Sequence, residues 1–286
     1  MNIKKVLVAG ATGYLGQFLV KALKEQGYWV RVLIRKEEQK TLFNGIDDYF
    51  FGNITDAKSL KDVTKGIDYV FSCVGITRQE EGLTYMDVDY KGNSNLLKEA
   101  VINQVKGFQY ISAINGDRLR HLKIFEAKER FVDELKSSGL NYCISRPNGF
   151  FSDMKDFLEM AKSGRVYLFG KGHLKLNPIH GQDLAKVCVS KMHSKEKEYT
   201  VGGMDILSHD DLAKLALKAV NKPFKITHLP DWTRRLSIWV LRTFSSSKSY
   251  GPIEFFLTAM ATDNIADAYG EHRLEDFFNA EANKLK

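Results

Sequence analysis

The stretch VLVAGATGYLG, from Val6 to Gly16, decides how this chain is read. An apolar run, Val6-Leu7-Val8-Ala9, passes straight into Gly10, Gly13 and Gly16, and a helical pattern of Leu15, Phe18, Leu19, Ala22 and Leu23 begins at once. A buried parallel strand, a tight turn and a helix opening at its N-terminus have this order. Glycine lacks a Cβ and so lets backbone come close to another group. The unpaired N–H groups and the positive dipole end of a helix favour an anion there, and a pyrophosphate fits. The position after a strand, before a helix and near the N-terminus gives the turn the context of a dinucleotide fingerprint. The simpler alternative is a tight turn with no ligand.

Working outward, Trp29 to Ile34 (WVRVLI) reads as a second buried strand that ends at Arg35-Lys36. No Asp or Glu stands between Gly27 and Lys36 to bind adenosine ribose hydroxyls, whereas Arg35 suits a 2′-phosphate, so NADP(H) is favoured over NAD(H). Against this, Arg35 is an ordinary charge at a strand end. Asp47 to Phe51 reads as a third strand, and its exit loop places Asn53 and Ile54 to flank an adenine ring. A short helix from Ser59 to Gly66 precedes a fourth strand, Asp68 to Val74, ending at Gly75, where backbone again approaches a cofactor.

A helix over Asp89 to Asn103, a fifth strand over Phe108 to Ala113, a long helix over Leu119 to Ser138 and a sixth strand over Tyr142 to Ser145 follow. The alternation predicts an α/β fold, a Rossmann-type doubly wound parallel sheet with a small C-terminal substrate lobe. Residues 1–150 form the nucleotide-binding core, and 151–286 form the lobe, interleaved with the core. The lobe shows helical patterns over Phe150 to Lys162, Gly181 to Met192 and Asp210 to Val220, with short strands between.

A chain of 286 residues with 44% hydrophobic content can build such a core without disulfides. The net charge of +7 is spread along the chain, and a phosphate-bearing cofactor accounts for it as well as a nucleic acid does, so no nucleic-acid partner is expected. Cys73, Cys143 and Cys188 sit in apolar runs without metal-ligand spacing and read as small buried residues; no metal is expected. No signal peptide is visible and no apolar run approaches the roughly 20 residues a bilayer requires, so a cytoplasmic location is expected. In the tail, Trp232, Leu236, Trp239 and Val240 share a helical spacing beside Arg234, Arg235 and Arg242. Such a helix over 232–242 lies on a membrane surface or, more often, is core or an oligomer contact.

With these residues in place, the chain resembles the short-chain dehydrogenase/reductase superfamily, in its atypical, NmrA-like branch of NAD(P)H-binding proteins. The carrying motifs are GATGYLG (Gly10 to Gly16), VDYKGNSNLL (Val88 to Leu97), YISA (Tyr110 to Ala113), AKERFVDELKSSGL (Ala127 to Leu140), RPNGFF (Arg146 to Phe151) and NPIHGQDLA (Asn177 to Ala185). The resemblance implies cofactor contacts from Gly10, Thr12, Gly13, Tyr14, Leu15 and Gly16, and from Val74, Gly75 and Lys128. It places Arg146, Pro147 and Asn148 on the loop lining the nicotinamide pocket, with Tyr85, Phe150 and Phe151 around the substrate.

The superfamily's dehydrogenases use Tyr-x-x-x-Lys, one helical turn apart, as acid/base and partner. Lys128 matches the lysine, but Ile124 stands where the tyrosine belongs, and isoleucine transfers no proton. Two substitutes are open. Lys128 serves alone if burial and a cationic nicotinamide depress its pKa toward neutrality, or Tyr85 or Tyr90 reaches the pocket. Ser112 matches the usual carbonyl-polarising Ser/Thr; Lys128 as a ribose ligand only is the competing role. His180 is expected to be structural, Asp183 to open its helix like an N-cap, and His121 to be solvated.

The first functional expectation is an NADPH-dependent reductase of a small carbonyl or enone. The second is a non-catalytic NADP(H)-binding redox sensor or assembly factor that serves a protein partner. A nucleotide-sugar epimerase, which needs the absent tyrosine, is third.

Overall fold

The computed structural model describes residues 3–77, 79 and 82–284. The opening apolar run is β1 (Lys5–Ala9), in which Val6, Leu7, Val8 and Ala9 are fully buried. It leads through the glycine turn into α1 (Tyr14–Glu25), then β2 (Trp29–Ile34), β3 (Asp48–Phe51) and β4 (Tyr69–Ser72). The run continues with α2 (Asn93–Ile102), β5 (Gly107–Ile111), α3 (Lys123–Ser137) and β6 (Tyr142–Pro147). Strands with no polar face need cover on both sides, which is why parallel strands alternate with amphipathic helices here.

The later elements are α4 (Lys155–Lys162), β7 (Val166–Phe169), β8 (Lys175–Leu176), α5 (Gly181–Lys191) and β9 (Glu198–Val201). After them come β10 (Leu207–Ser208), α6 (His209–Ala219), β11 (Ile226–Leu229), α7 (Asp231–Phe244), α8 (Ser247–Ala259) and α9 (Leu274–Asn283).

Among the described residues one sheet runs in the order β3-β2-β1-β4-β5-β6-β9. Val6 of β1 sits between Val30 of β2 and Tyr69 of β4, both parallel. Strand order reverses between β1 and β4, and at such a switch point the carboxyl ends of the strands leave a crevice that binds ligands. The doubly wound sheet expected from the alternation is present.

The chain divides into two compact units. One comprises Met1–Arg146 and Ala185–Tyr199, the other Pro147–Leu184 and Thr200–Lys286. Residues 185–199 thus belong with the first unit, where Ile144 N–H donates to the Lys197 carbonyl at 2.8 Å. The first unit packs Leu7, Val70, Leu96, Phe108, Phe131 and Ile144 into its core. The second packs Phe151, Phe157, Leu212, Ala216, Leu274 and Phe278.

Several elements differ from their expected bounds for local reasons. The helix expected from Leu119 starts at Lys123, because Asn115 adopts φ +58° and its carbonyl takes the Arg118 and Leu119 N–H groups into a turn. The helix expected from Asp89 opens instead as a π-helical turn, Met86–Gly92. Phe150 to Met154 is not helical: Phe150 bridges Ile179, and the Asp153 carboxylate accepts the Phe150 N–H at 3.0 Å. The expected helix of Ser59 to Gly66 is a short 3₁₀ turn, Ala57–Leu60, capped by Asp56.

Candidate active site

The glycine turn is built for close approach. Gly10 has φ +77°, and a Cβ there would lie 2.9 Å from the Cys73 carbonyl carbon at the exit of β4. A Cβ on Gly16 would lie 2.1 Å from the Gly10 carbonyl oxygen. The turn therefore sits at the β1/β4 switch point and tolerates no side chain. Gly13 caps α1 without a side-chain hydrogen bond, and the first helical turn holds no acidic residue. The N-terminal N–H groups are left for an anion, so these residues fit a dinucleotide pyrophosphate. Leu15 is a core side chain at 5% exposure, so its contribution there is limited to its backbone, while Thr12 and Tyr14 are half-buried.

At the exits of β2 and β3, Arg35, Lys36, Phe51, Gly52 and Asn53 line a cavity of about 490 Å³. Ile54, half-buried, packs against the core of the first unit, its side chain 3.1 Å from where a Gly92 Cβ would be. Arg35 and Asn53 thus share one concavity, and Ile54 belongs to the packed interior beneath.

The reacting end of the crevice is formed by Gly75, Asp89 and Lys128. Asp89 is fully buried, and its carboxylate pairs with Lys128 Nζ at 2.8 Å; the Lys128 side chain is 12% exposed. The other Asp89 oxygen accepts the Ile76 N–H at 3.2 Å. A Cβ on Gly75 would lie 2.7 Å from both Lys128 Nζ and Asp89 Oδ1, so this exposed glycine is the opening through which the pair meets the crevice. The π-helical turn, with its extra residue per turn, is what carries Asp89 into this position; such turns recur at functional sites.

Burial is the largest influence on both groups, pulling the Lys128 ammonium pKa down and pushing the Asp89 carboxyl up. For Lys128 the Asp89 carboxylate and the neighbouring Tyr110 hydroxyl outweigh burial, and its pKa ends above the ordinary lysine value. Without a cationic nicotinamide beside it, the buried counter-charge of Asp89 therefore favours the ammonium form of Lys128.

Of the two tyrosine substitutes, Tyr85 is buried and Tyr90 is half-buried. Tyr85 is 1% exposed, its hydroxyl donates to the Thr77 carbonyl at 2.7 Å, and burial followed by Asp89 raises its pKa. Tyr90 lies under the Arg130 guanidinium, 4.4 Å from the ring centroid. Ile124, at 6% exposure, is a core side chain. Tyr110, missed in the sequence, is fully buried 5.8 Å from Lys128 Nζ (ring centroid), and its hydroxyl makes no well-formed hydrogen bond among the described residues.

Ser112 and Arg146 belong to a second buried network. Glu129, 1% exposed, accepts both Arg146 amino groups at 2.6 and 2.8 Å, and its Oε1 also accepts the Ser112 hydroxyl at 3.0 Å. Arg146 Nη1 donates further to the Ala113 carbonyl at 3.2 Å, and Nε pairs with Glu198. Ser112 has spent its one proton on Glu129, and Arg146 is a structural cation rather than a pocket-lining residue.

In the second unit the remaining expected contacts are engaged internally. Pro147 and Asn148 are buried; Asn148 donates to Asn177 Oδ1 at 3.0 Å and to the Asn264 carbonyl, and its own oxygen accepts the Gly149 N–H at 2.8 Å. Phe151 is core, 5.6 Å from both the His180 and Phe277 rings, and Phe150 is half-buried. Asp183 lies in the first turn of α5. Its carboxylate holds the Glu271 and His272 N–H groups and the His272 ring at 2.9–3.1 Å, clamping the chain before α9, and His180 stacks on His272 at 4.2 Å. His121 is exposed. Cys143 and Cys188 are buried and Cys73 is half-buried, all three as free thiols.

A family profile described as NAD(P)H-binding matches residues 10–195. Divinyl chlorophyllide a 8-vinyl-reductase of Arabidopsis thaliana is 27% identical over 96% of this chain and 75% of its own length. The photosystem II assembly factor Ycf39 of Cyanophora paradoxa is 28% identical over 52% of this chain and 46% of its own. Among solved structures, the NADPH complex of the NADPH-dependent quinone oxidoreductase QOR2 from Escherichia coli superposes with a TM-score of 0.75 at 16% identity, covering 98% of this chain and 99% of that one. The glycine turn at the switch point, the sheet order and these matches agree, and the chain belongs to the NAD(P)H-binding family.

Proposed function

We propose that this protein is an NADPH-dependent reductase of a carbonyl or of a carbon–carbon double bond conjugated to one, with Lys128 as the ammonium that meets the substrate oxygen. The observation that carries this reading is the buried Lys128–Asp89 pair opening at Gly75, one turn along α3 from the apolar Ile124. The nicotinamide supplies the hydride. As hydride arrives, negative charge develops on the substrate oxygen, and the Lys128 ammonium donates a hydrogen bond to it. Asp89 holds that ammonium in place and charged. The proton that completes the product passes from Nζ, which is restored through its exposed edge.

Purified protein tested for NADPH oxidation against aldehydes, enones and quinones decides the matter. Lys128→Met is expected to lower turnover by about 10²–10³, the loss typical of one oxyanion donor, with less than about tenfold change in NADPH affinity. Absence of NADPH oxidation across the panel overturns the reading.

NADPH over NADH follows from Arg35 and the cavity it lines with Asn53. Arg35→Ala is expected to weaken NADPH binding by about tenfold or more, the value of a charge-assisted hydrogen bond to phosphate, and to leave NADH unchanged. Titration by nucleotide fluorescence measures both; equal initial affinities overturn the assignment.

The second reading is an NADP(H)-binding assembly factor without turnover. It is favoured by the burial of Tyr85 and Tyr110 beside Lys128 and by the similarity to an assembly factor. Under it, NADPH binds, the substrate panel is silent, and Lys128→Met changes affinity alone.

A further inference from the structure

Helix α7 turns large apolar side chains toward water. No residue of it is buried, and the centre of its outward face is apolar: Trp232 is 63% exposed, Leu236 47% and Trp239 60%, with Phe244 at 78% beyond them. These residues recur at helical spacing and form one stripe. Arg235 and Arg242, 77% and 51% exposed, stand along one flank of it. The polar residues Arg234 and Ser237 lie on the opposite side, where the Arg234 side chain is only 12% exposed and donates to Asp231 at 2.7 Å. Ile238 and Leu241 lie half-buried on the inner side, and two water-facing tryptophans in an exposed apolar patch of this kind mark an interaction surface.

Charge selects the partner. From 221 to 250 the sequence holds the basic residues Lys222, Lys225, Arg234, Arg235, Arg242 and Lys248 and one acid, Asp231, so this stretch carries +5 of the chain's +7, with Arg242 also paired to the buried Glu254 just beyond it. Phe224, between two of the lysines, is itself 63% exposed. Tryptophan and phenylalanine bordered by arginine suit the boundary between headgroups and acyl chains, where the ring is buried and the guanidinium meets lipid phosphate. No helix among the described residues is long and apolar enough to cross a membrane, so contact through α7 lies in the plane of the surface.

We infer that α7 is a docking surface for an anionic lipid bilayer, with Trp232, Leu236, Trp239 and Phe244 entering the interface and Arg235 and Arg242 meeting phosphate. The inference stands apart from the reaction and needs no turnover. The full chain is mixed with vesicles of phosphatidylcholine, or of equimolar phosphatidylcholine and phosphatidylglycerol, and sedimented. It is expected to pellet with the anionic vesicles, with a blue shift of tryptophan emission, and weakly with the neutral ones. Leu236→Ser with Trp239→Ser is expected to weaken partitioning by about tenfold or more, as two interfacial side chains are lost. Arg235→Glu is expected to weaken it by about fivefold or more on anionic vesicles only. All three positions are exposed, and an unchanged melting temperature checks that each variant is folded. A chain that stays in the supernatant with both vesicle types overturns the inference, as does size-exclusion elution as a dimer that Trp239→Ser dissociates.

Discussion

Replacing Glu129 with alanine is expected to cost the folded protein about 3–5 kcal/mol, read as a lowered denaturation midpoint with an unchanged slope. The magnitude follows from what is left behind rather than from what is removed. Arg146 is 7% exposed on its side chain, and burial is the largest force on its guanidinium; Glu129 and Glu198 nevertheless hold its pKa above the ordinary value. Without Glu129 both amino groups lose their carboxylate, Ser112 loses its acceptor, and Arg146 keeps Glu198, the Ala113 carbonyl and the Ser112 hydroxyl oxygen. Glu129→Gln preserves volume but turns an amide NH₂ toward the guanidinium, so it recovers little. Glu126→Ala, three residues earlier on the same helix, is the control. Its pair with Lys123 is about half exposed on both sides, and its loss is expected to cost under about 0.5 kcal/mol. A Glu129→Ala variant as stable as Glu126→Ala would mean that Arg146 is not held as described.

Neither Glu129 nor Asp89 was legible as a site residue in the sequence, and the reason is physical. Helical periodicity shows which residues share a face, and it located α1 and the core of α3 correctly because their apolar stripes are long. It carries no information about which base an acid meets when the two lie on different elements. A signal existed: Glu129 falls on the core face with Phe125 and Val132, and Asp89 follows buried Val88, so each acid sat among apolar neighbours where an unpaired carboxylate is not tolerated. The glycine turn was readable for the opposite reason. Its geometry is set within seven consecutive residues, and Gly16 against the Gly10 carbonyl is a local contact. Asn148 and Phe151 were read from a motif as pocket residues, yet their polar and apolar surfaces are consumed by Asn177, Asn264 and Phe277. The tail's stripe was visible as a spacing, but a spacing does not say whether it faces a core or water.

The Lys128–Asp89 pair is expected to behave as a unit. Asp89→Leu leaves a nearly buried ammonium without its carboxylate, and Lys128→Met leaves a fully buried carboxylate without its cation; each is expected to cost about 3–5 kcal/mol. The double variant Lys128→Met/Asp89→Leu removes both charges and replaces them with apolar groups of similar length, so it is expected to be more stable than either single variant. The pH dependence has a definite sign. In the native protein the Lys128 pKa is raised above its unfolded value, so the lysine's own contribution is complete below about pH 10 and is lost only as pH rises through the folded-state value. Reductase turnover that relies on the ammonium is therefore flat through neutrality into the alkaline range. In Asp89→Leu the opposing carboxylate is gone while the burial remains, and burial lowers the pKa of a lysine. Whatever turnover that variant retains is expected to fall as pH rises through a range where the parent is level, because its ammonium deprotonates there. A parent enzyme whose rate already falls on raising the pH through neutrality would show that Asp89 does not hold Lys128 protonated, and the electrostatic role given to this pair would be wrong.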